Sequence, residues 1–423
     1  MLFAGRGIRS LTQGYLSVIV PLYLAVLGYS AVQLGLVFSA ASIGSAVLAA
    51  AVGFYSDRYG RKTFLVILAL LTAVGGIVFA ASGAFWVILI AGAITTIGRG
   101  GGAGSGGAWG PYYPAEQALL AEHADDRHRT AVFGATSFVG VLAAAIGSLL
   151  AILPSVLHST LGLTTIDGDR VLFGLTAAFG VAMAVVMLPV QETRRAAGPA
   201  APRPRRREPL SPETTRTILK FMATNATNGL AIGFLGPIMV YWFYRRYGVG
   251  AAELGGLFTL VNLATAPSYL YAARIARRLG AVNAVVLTRV VSVVMLVFIP
   301  LMPIYPLAAA LFLLRMVTNT LSNPVRQSYL MAIVRREERA TAAGFSNLPT
   351  QVCSSIGPTI AGYLMTGLAL DLPLELAAVF QGLNAALYYG FFHGIKPPEE
   401  KGGEERPARV EAERVGEVRE VGR

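Results

Sequence analysis

Apolar stretches of about 20 residues recur along the whole chain, each the length an α-helix needs to cross roughly 30 Å of hydrocarbon. They fall near 7–27, 31–55, 63–81, 84–109, 131–153 and 170–190, and again near 217–243, 252–273, 281–300, 304–324, 342–369 and 374–395. Twelve such runs in 423 residues leave little chain for anything else. Membrane β-strands would be half as long and alternating. Only 14% of the residues are charged and 54% are hydrophobic, against about 25% charged in ordinary soluble domains. The expected fold is therefore an all-α integral membrane protein with twelve transmembrane helices, embedded in a lipid bilayer.

The net charge of +12 does not point to nucleic acid, because the arginines sit in short loops between apolar runs and form no basic surface interleaved with aromatics. Cys353 is the single cysteine, and His123, His128, His158 and His393 are scattered. No disulfide framework, metal-ligand spacing or nucleophile–base set emerges, so neither an enzyme nor a metal or cofactor is expected. The first run lacks a signal-peptide cleavage site and further spans follow it at once.

The runs divide into two sets of six. Between them lies a stretch rich in Pro, Ala and Arg, including Arg205, Arg206 and Arg207, a composition suited to a hydrated linker. The expected organisation is a first half over 1–193, a cytoplasmic linker over 194–215, a second half over 216–396 and a disordered cytoplasmic tail over 397–423. Lys and Arg stay on the cytoplasmic side of short loops. Of the 35 here, Arg170, Arg245 and Arg246 lie in the opposite loops and Arg99, Arg289 and Arg315 within spans. Arg6, Arg9 and the others fall on the side of the N-terminus, which places both termini in the cytoplasm. A shift of 210 residues superposes Pro114, Gln117, Leu120, Arg129, Gly134, Ile146 and Gly147 on Pro324, Gln327, Leu330, Arg339, Gly344, Ile356 and Gly357. Two parallel repeats about an axis along the membrane normal are one architecture for alternating access.

After the second run the chain reads Gly53, Phe54, Tyr55, Ser56, Asp57, Arg58, Tyr59, Gly60, Arg61, Lys62. This loop resembles the signature of the major facilitator superfamily, matching G, three residues, D, R, any residue, G, R, K at every fixed position. The resemblance extends to the twelve-span plan. It implies two six-helix pseudo-repeats, transport by alternating access, and a gating loop in which Asp57 and Arg58 latch the halves on the cytoplasmic side. The second-half loop at 273–282 keeps Arg278 and Gly280 but has Ala273 and Arg277 where the pattern wants Gly and Asp. Arg99 resembles the arginine of the superfamily's fourth-helix motif, although glycine replaces the glutamine expected after it.

A guanidinium at membrane depth costs at least about 2.5 kcal/mol unless it meets water, a partner or a cavity. Arg99 and Arg315 are therefore the sharpest substrate-binding candidates, the alternative being snorkelling or a bond to backbone. Gln13, Tyr15, Asn225, Asn228, Asn262, Asn319 and Asn323 accompany them, each able to face a cavity or a neighbouring helix. The glycine run from Gly98 to Gly110 lacks the Lys-Ser or Lys-Thr of a phosphate loop and predicts a tightly packed, bendable fourth helix. Gly357, Pro358 and Gly362 predict helix packing and a kink in the eleventh span. They resemble the fifth-helix motif of drug and proton antiporters, displaced into the other half.

By these boundaries no acid lies in the middle of a span. Glu116, just after the fourth, is the possible proton carrier and the nearest acid to Arg58 or Arg61. The resulting expectation is a monomeric secondary transporter in the cytoplasmic (inner) membrane, moving a small-molecule substrate that is anionic or carboxylate-bearing, with a coupling proton or ion left open. Efflux of drug-like amphiphiles and a non-transporting membrane sensor are the alternatives.

Overall fold

The computed structural model describes residues 1–97, 110–123, 129–190, 211–334 and 338–395; the side chain of Asp57 is not among what it describes. The first half holds α1 (Leu2–Val26), α2 (Ala31–Tyr59), α3 (Arg61–Ala81), α4 (Phe85–Ile94), α5 (Tyr112–His123), α6 (Arg129–Leu150), α7 (Leu153–Leu161) and α8 (Thr165–Met187). The second holds α9 (Pro212–Leu235), α10 (Ile238–Tyr247), α11 (Ala251–Thr265), α12 (Ser268–Leu279), α13 (Ala281–Phe298), α14 (Tyr305–Ile333), α15 (Arg339–Gly367) and α16 (Leu372–Phe392). These segments group along the chain in a manner consistent with twelve passes. The predicted linker up to residue 210, the tail from 397, Arg99 and nearly all of the glycine run lie outside the described residues.

Apolar periodicity decides which face of each helix meets protein. On α3, Leu65, Leu68, Ala69, Thr72, Ala73, Gly76 and Phe79 are buried, while Ile67, Leu70, Val74 and Ile77 form an exposed stripe. On α13, Leu287, Val290, Val294 and Val297 do the same. Uninterrupted aliphatic stripes of this kind are a liability in water and a lipid-facing surface in a bilayer. Five helices are individually long and apolar enough to cross a membrane, and the pair α9 and α10, bent by 41° at Gly236–Pro237, makes a sixth. α1 and α14 carry more polar side chains along their length, Arg6, Arg9 and Gln13 on the first and Arg315, Asn319 and Arg326 on the second.

Turn chemistry sets the ends. Ser30 and Gln33 form a capping box at the start of α2, and Thr164 and Ser211 cap α8 and α9, satisfying backbone N–H groups that a helix start leaves orphaned. Gly60 at φ 99° and Gly280 at φ 80° make the corresponding tight turns between α2 and α3 and between α12 and α13, a conformation that costs little only for glycine.

The end holding the start of α1 and the finish of α16 is here the terminal end, and the opposite one the far end. At the far end the halves meet along two seams, α2 against α15 and α6 against α11. A methyl group on Gly35 would run into the Pro358 carbonyl, one on Gly362 into the Ala31 carbonyl, and one on Gly255 would lie 2.8 Å from the Ser148 carbonyl oxygen. Backbone thus rests directly on backbone. Thr359 Oγ1 and Ser39 Oγ are 2.7 Å apart, Asn262 Nδ2 donates to Ser148 Oγ at 3.2 Å, and Thr259 Oγ1 donates to the Ala145 carbonyl at 3.2 Å. Toward the terminal end Phe54, Tyr55 and Tyr59 on α2 and Tyr271 on α12 are exposed, Phe54 by 82%. Among the described residues the two halves are held together at the far end.

Three expectations about boundaries change. The first helix starts at Leu2, so Arg6 and Arg9 are buried helix residues and not loop cations. The tenth span continues past Pro324 to Ile333 and takes Arg326 into the bundle. The sixth starts at Thr165 and encloses Asp169 about one turn inside its start, not in its middle.

Candidate functional site

The polar face of α14 carries buried arginines in the second half. Arg315, Asn319, Ser322 and Arg326 follow one another at helical spacing, which places them on one face. Arg315 and Arg326 are separated by three turns, about 16 Å along the axis. Arg289, at the middle of α13, lies within electrostatic range of both. Arg289 is 1% and Arg315 3% exposed. Among the described residues no carboxylate pairs with any of the three. The Nη1 of Arg289 donates to the Oδ1 of Asn228 on α9 at 2.7 Å, and Tyr388 on α16 faces Arg289 and Arg326. Arg289 Nε, Arg315 Nε, Arg326 Nη1, Asn319 Oδ1, Gln381 Oε1 and the Tyr388 hydroxyl are buried without a hydrogen-bond partner. A ladder of three cations with unused donors is thereby held among α9, α13, α14 and α16.

The first half solves the equivalent problem internally. Arg6 and Arg9, one turn apart on α1, both meet Glu116 on α5, at 3.3 and 2.5 Å. The Arg9 guanidinium also stands over the Tyr112 ring, 5.0 Å from its centroid, a cation–π contact. Tyr112 shares a hydrogen bond with Thr72 of α3. The expectation that Glu116 serves Arg58 or Arg61 is therefore corrected. Glu116 is a buried residue that joins α5 to α1, because α1 begins early enough to carry its two arginines to it.

The other candidates are distributed as follows. The Tyr15 hydroxyl meets Thr176 Oγ1 at 2.7 Å and ties α1 to α8. Asn225 donates to the Ser346 carbonyl and accepts through its own backbone from Thr350, joining α9 to α15. Asn262 belongs to the far seam. Gln13 lines a small cavity with Arg9, Thr12, Thr72 and Tyr112. Asn323 stands beside the α14 face, half-buried. Gly357 packs on Gly233 of α9, and Pro358 and Gly362 face α2. In the predicted gating motif, whose first part is the end of α2, Gly53 is exposed with open space around it, Arg58 is exposed and stacks on Tyr59, and Arg61 and Lys62 open α3 beyond Gly60. Of the predicted substrate contacts, Asn228, Arg315 and Asn319 come together; Tyr15, Asn225 and Asn262 hold helices to one another instead.

The family model of the Major Facilitator Superfamily matches residues 2–226 and again 221–420. The chain belongs to the Major Facilitator Superfamily. It is accordingly a multi-pass membrane protein and, as a member of that superfamily, a secondary transporter. An uncharacterized membrane protein of Saccharomyces cerevisiae, YJR124C, is 24% identical over 429 residues, covering 92% of this chain and 95% of the yeast protein. Among solved structures, a bacterial homologue of the iron transporter ferroportin in an inward-facing state superposes with a TM-score of 0.71 at 13% identity, covering 92% of this chain and 97% of that one. A bacterial homologue of the human lysosomal transporter Spinster, inward-facing and occupied, gives 0.69 at 14% identity, covering 92% and 94%. At such identities these likenesses speak for the superfamily fold.

Two buried arginines of the ladder were missed by sequence reasoning as candidates. Arg289 was seen within a span but not as a site residue, and Arg326 was assigned to a loop. The spacing from Arg315 through Asn319 and Ser322 to Arg326 is the signal that could have found the second.

Proposed function

We propose that the transported solute is a small anion bearing a carboxylate or phosphate, bound by Arg289, Arg315 and Arg326 with Asn228 and Asn319. The observation that supports this reading is the arginine ladder itself. Buried cations at membrane depth need a counter-charge, and guanidinium groups present paired donors that match the oxygens of carboxylate and phosphate. An anionic solute supplies what no described side chain does. Arg99, outside the described residues, is a further candidate contact in this reading. The far end, sealed here, opens as the terminal end closes, with the Asp57 and Arg58 loop gating the terminal side. The Lys and Arg distribution favours a cytoplasmic terminal end in the inner membrane, and the protein acts as a monomer.

The test is thermal stabilisation of detergent-purified protein by phosphate, succinate, citrate, nucleosides and tetraphenylphosphonium, with Arg315→Gln and Arg289→Gln in parallel. A ligand of the native state adds about 2.7 kcal/mol at a hundredfold excess over its Kd. An anion that stabilises the parent and neither variant supports the reading. Stabilisation by the lipophilic cation alone, equal in parent and variants, removes it and favours export of amphiphiles.

A further inference from the structure

The acid shared in the first half leaves one charge over. Arg6 and Arg9 carry two positive charges and Glu116 supplies one negative, and all three side chains are 7% exposed or less. An ion held away from bulk water without a counter-charge is unfavourable. The helices around the triad bring no second acid to it: α1 and α3 contain neither Asp nor Glu, and Asp167 and Asp169 of α8 stand at the opposite end of that helix from Met183 and Met187.

Beside the triad is a space suited to a small ligand. Arg6 and Arg9 line a cavity among α1, α3, α5 and α8 that is closed on its other sides by Leu2, Leu65, Met183 and Met187. Its free space of about 20 Å³ holds one particle the size of a water or a little larger. Arg6 Nε and Arg9 Nη1 are buried without a hydrogen-bond partner. Apart from Glu116, which both arginines already hold, the side chains of the wall offer no strong acceptor. A water molecule needs acceptors as well as donors, whereas a spherical anion only accepts. The excess of one positive charge selects a monovalent ion, and the size of the space selects a monatomic one.

We infer that this cavity binds a single halide ion, held by Arg6 Nε and Arg9 Nη1 against the thioether and aliphatic wall. The ion brings the cluster to neutrality and so strengthens the packing of α1 on α5 and α8. No covalent step is involved. The site lies in the opposite half from the arginine ladder and stands whether or not the transported solute is an anion. Glu116 is a like charge next to the ion and weakens its binding.

The test is the melting temperature of the detergent-purified protein in sodium chloride, bromide or gluconate at constant ionic strength. In the parent it rises with halide concentration, by about 1–2 °C for each tenfold above the Kd, and gluconate, too large for the cavity, gives no such rise. Arg6→Gln keeps the balanced pair of Arg9 and Glu116 and loses the halide dependence. Leu65→Phe, which fills the cavity without touching a charge, loses it too. Glu116→Gln melts lower but reaches its half-maximal rise at a chloride concentration at least about tenfold lower, since the repulsion is gone. A parent indifferent to halide overturns the inference, as does an Arg6→Gln protein that melts lower yet keeps the parent's difference between chloride and gluconate, which is the behaviour of an arginine that only joins helices. A dependence abolished by Arg289→Gln and kept in Arg6→Gln overturns it as well, by placing the ion in the second half.

Discussion

Replacing Gly362 by alanine shifts the balance between the two transport states without touching any side-chain interaction. The new methyl group collides with the Ala31 carbonyl of the other half, and a backbone atom within a helix cannot swing aside. Overpacking of this kind costs about 1–3 kcal/mol. Alanine also gains about 1 kcal/mol over glycine within a helix, but α15 stays helical in both states and that gain cancels between them. The whole collision therefore falls on the far-sealed state and amounts to roughly a 5- to 150-fold shift toward the far-open one. Labelling of Ser39→Cys in the Cys353→Ser background reads the shift directly, since Ser39 is buried against Thr359 in the seam. Gly76→Ala is the control: its methyl group strikes Ala177 and Phe173 within the first half, so it lowers the melting temperature but leaves labelling unchanged. The reasoning is refuted if Gly362→Ala labels no faster than the parent, or if Gly76→Ala speeds labelling as much.

Other outcomes follow from the same contacts. Glu116→Gln removes the acid shared by Arg6 and Arg9 and leaves two buried cations unpaired, a loss of about 3–5 kcal/mol; thermal unfolding of the purified protein shows a marked fall, and a wild-type melting temperature would count against the burial of this triad. Ser39→Cys together with Thr359→Cys, in the Cys353→Ser background, forms a disulfide on oxidation that keeps the two halves on one band after cleavage at a protease site introduced between residues 191 and 210, and reduction releases them. At the gating loop Gly60→Ala is strained at φ 99° by about 1–3 kcal/mol, whereas Gly53→Ala, whose methyl group meets nothing within 4 Å, leaves thermal stability within about 0.5 kcal/mol, the usual range for an uncontacted surface change.

The spans were legible because hydropathy is a one-dimensional signal and lipid imposes a fixed length on it. The charged residues at their margins were not, since helices here continue beyond their apolar runs. Arg6 precedes the first run and Arg9 stands at its very start, yet both lie well inside α1, and Arg326 follows the tenth yet lies on α14. Asp169 stood one residue outside the predicted sixth span. In each case a partner, or the want of one, lies on a helix distant in sequence: Glu116 is more than 100 residues from Arg6 and Arg9, and Asn228 is 61 from Arg289. Tyr15, Asn225 and Asn262 show the converse. Amides and hydroxyls within spans look alike in sequence whether they face a cavity or a neighbouring backbone, and these three face helices.

The two far seams are the same contact made twice. The second helix of one half meets the fifth of the other, as α2 with α15 and as α11 with α6, which is the isologous pairing of a symmetric dimer contained in one chain. A dimer of identical subunits must place every residue on both sides of its axis. Joined in a single polypeptide, the two units are released from that requirement, and the 210-residue repeat shows where they have used the freedom: the position that is Glu116 in the first half is Arg326 in the second. One side of the pseudo-axis pairs Arg6 and Arg9 with its own acid; on the other, Arg289, Arg315 and Arg326 have no carboxylate partner among the described residues.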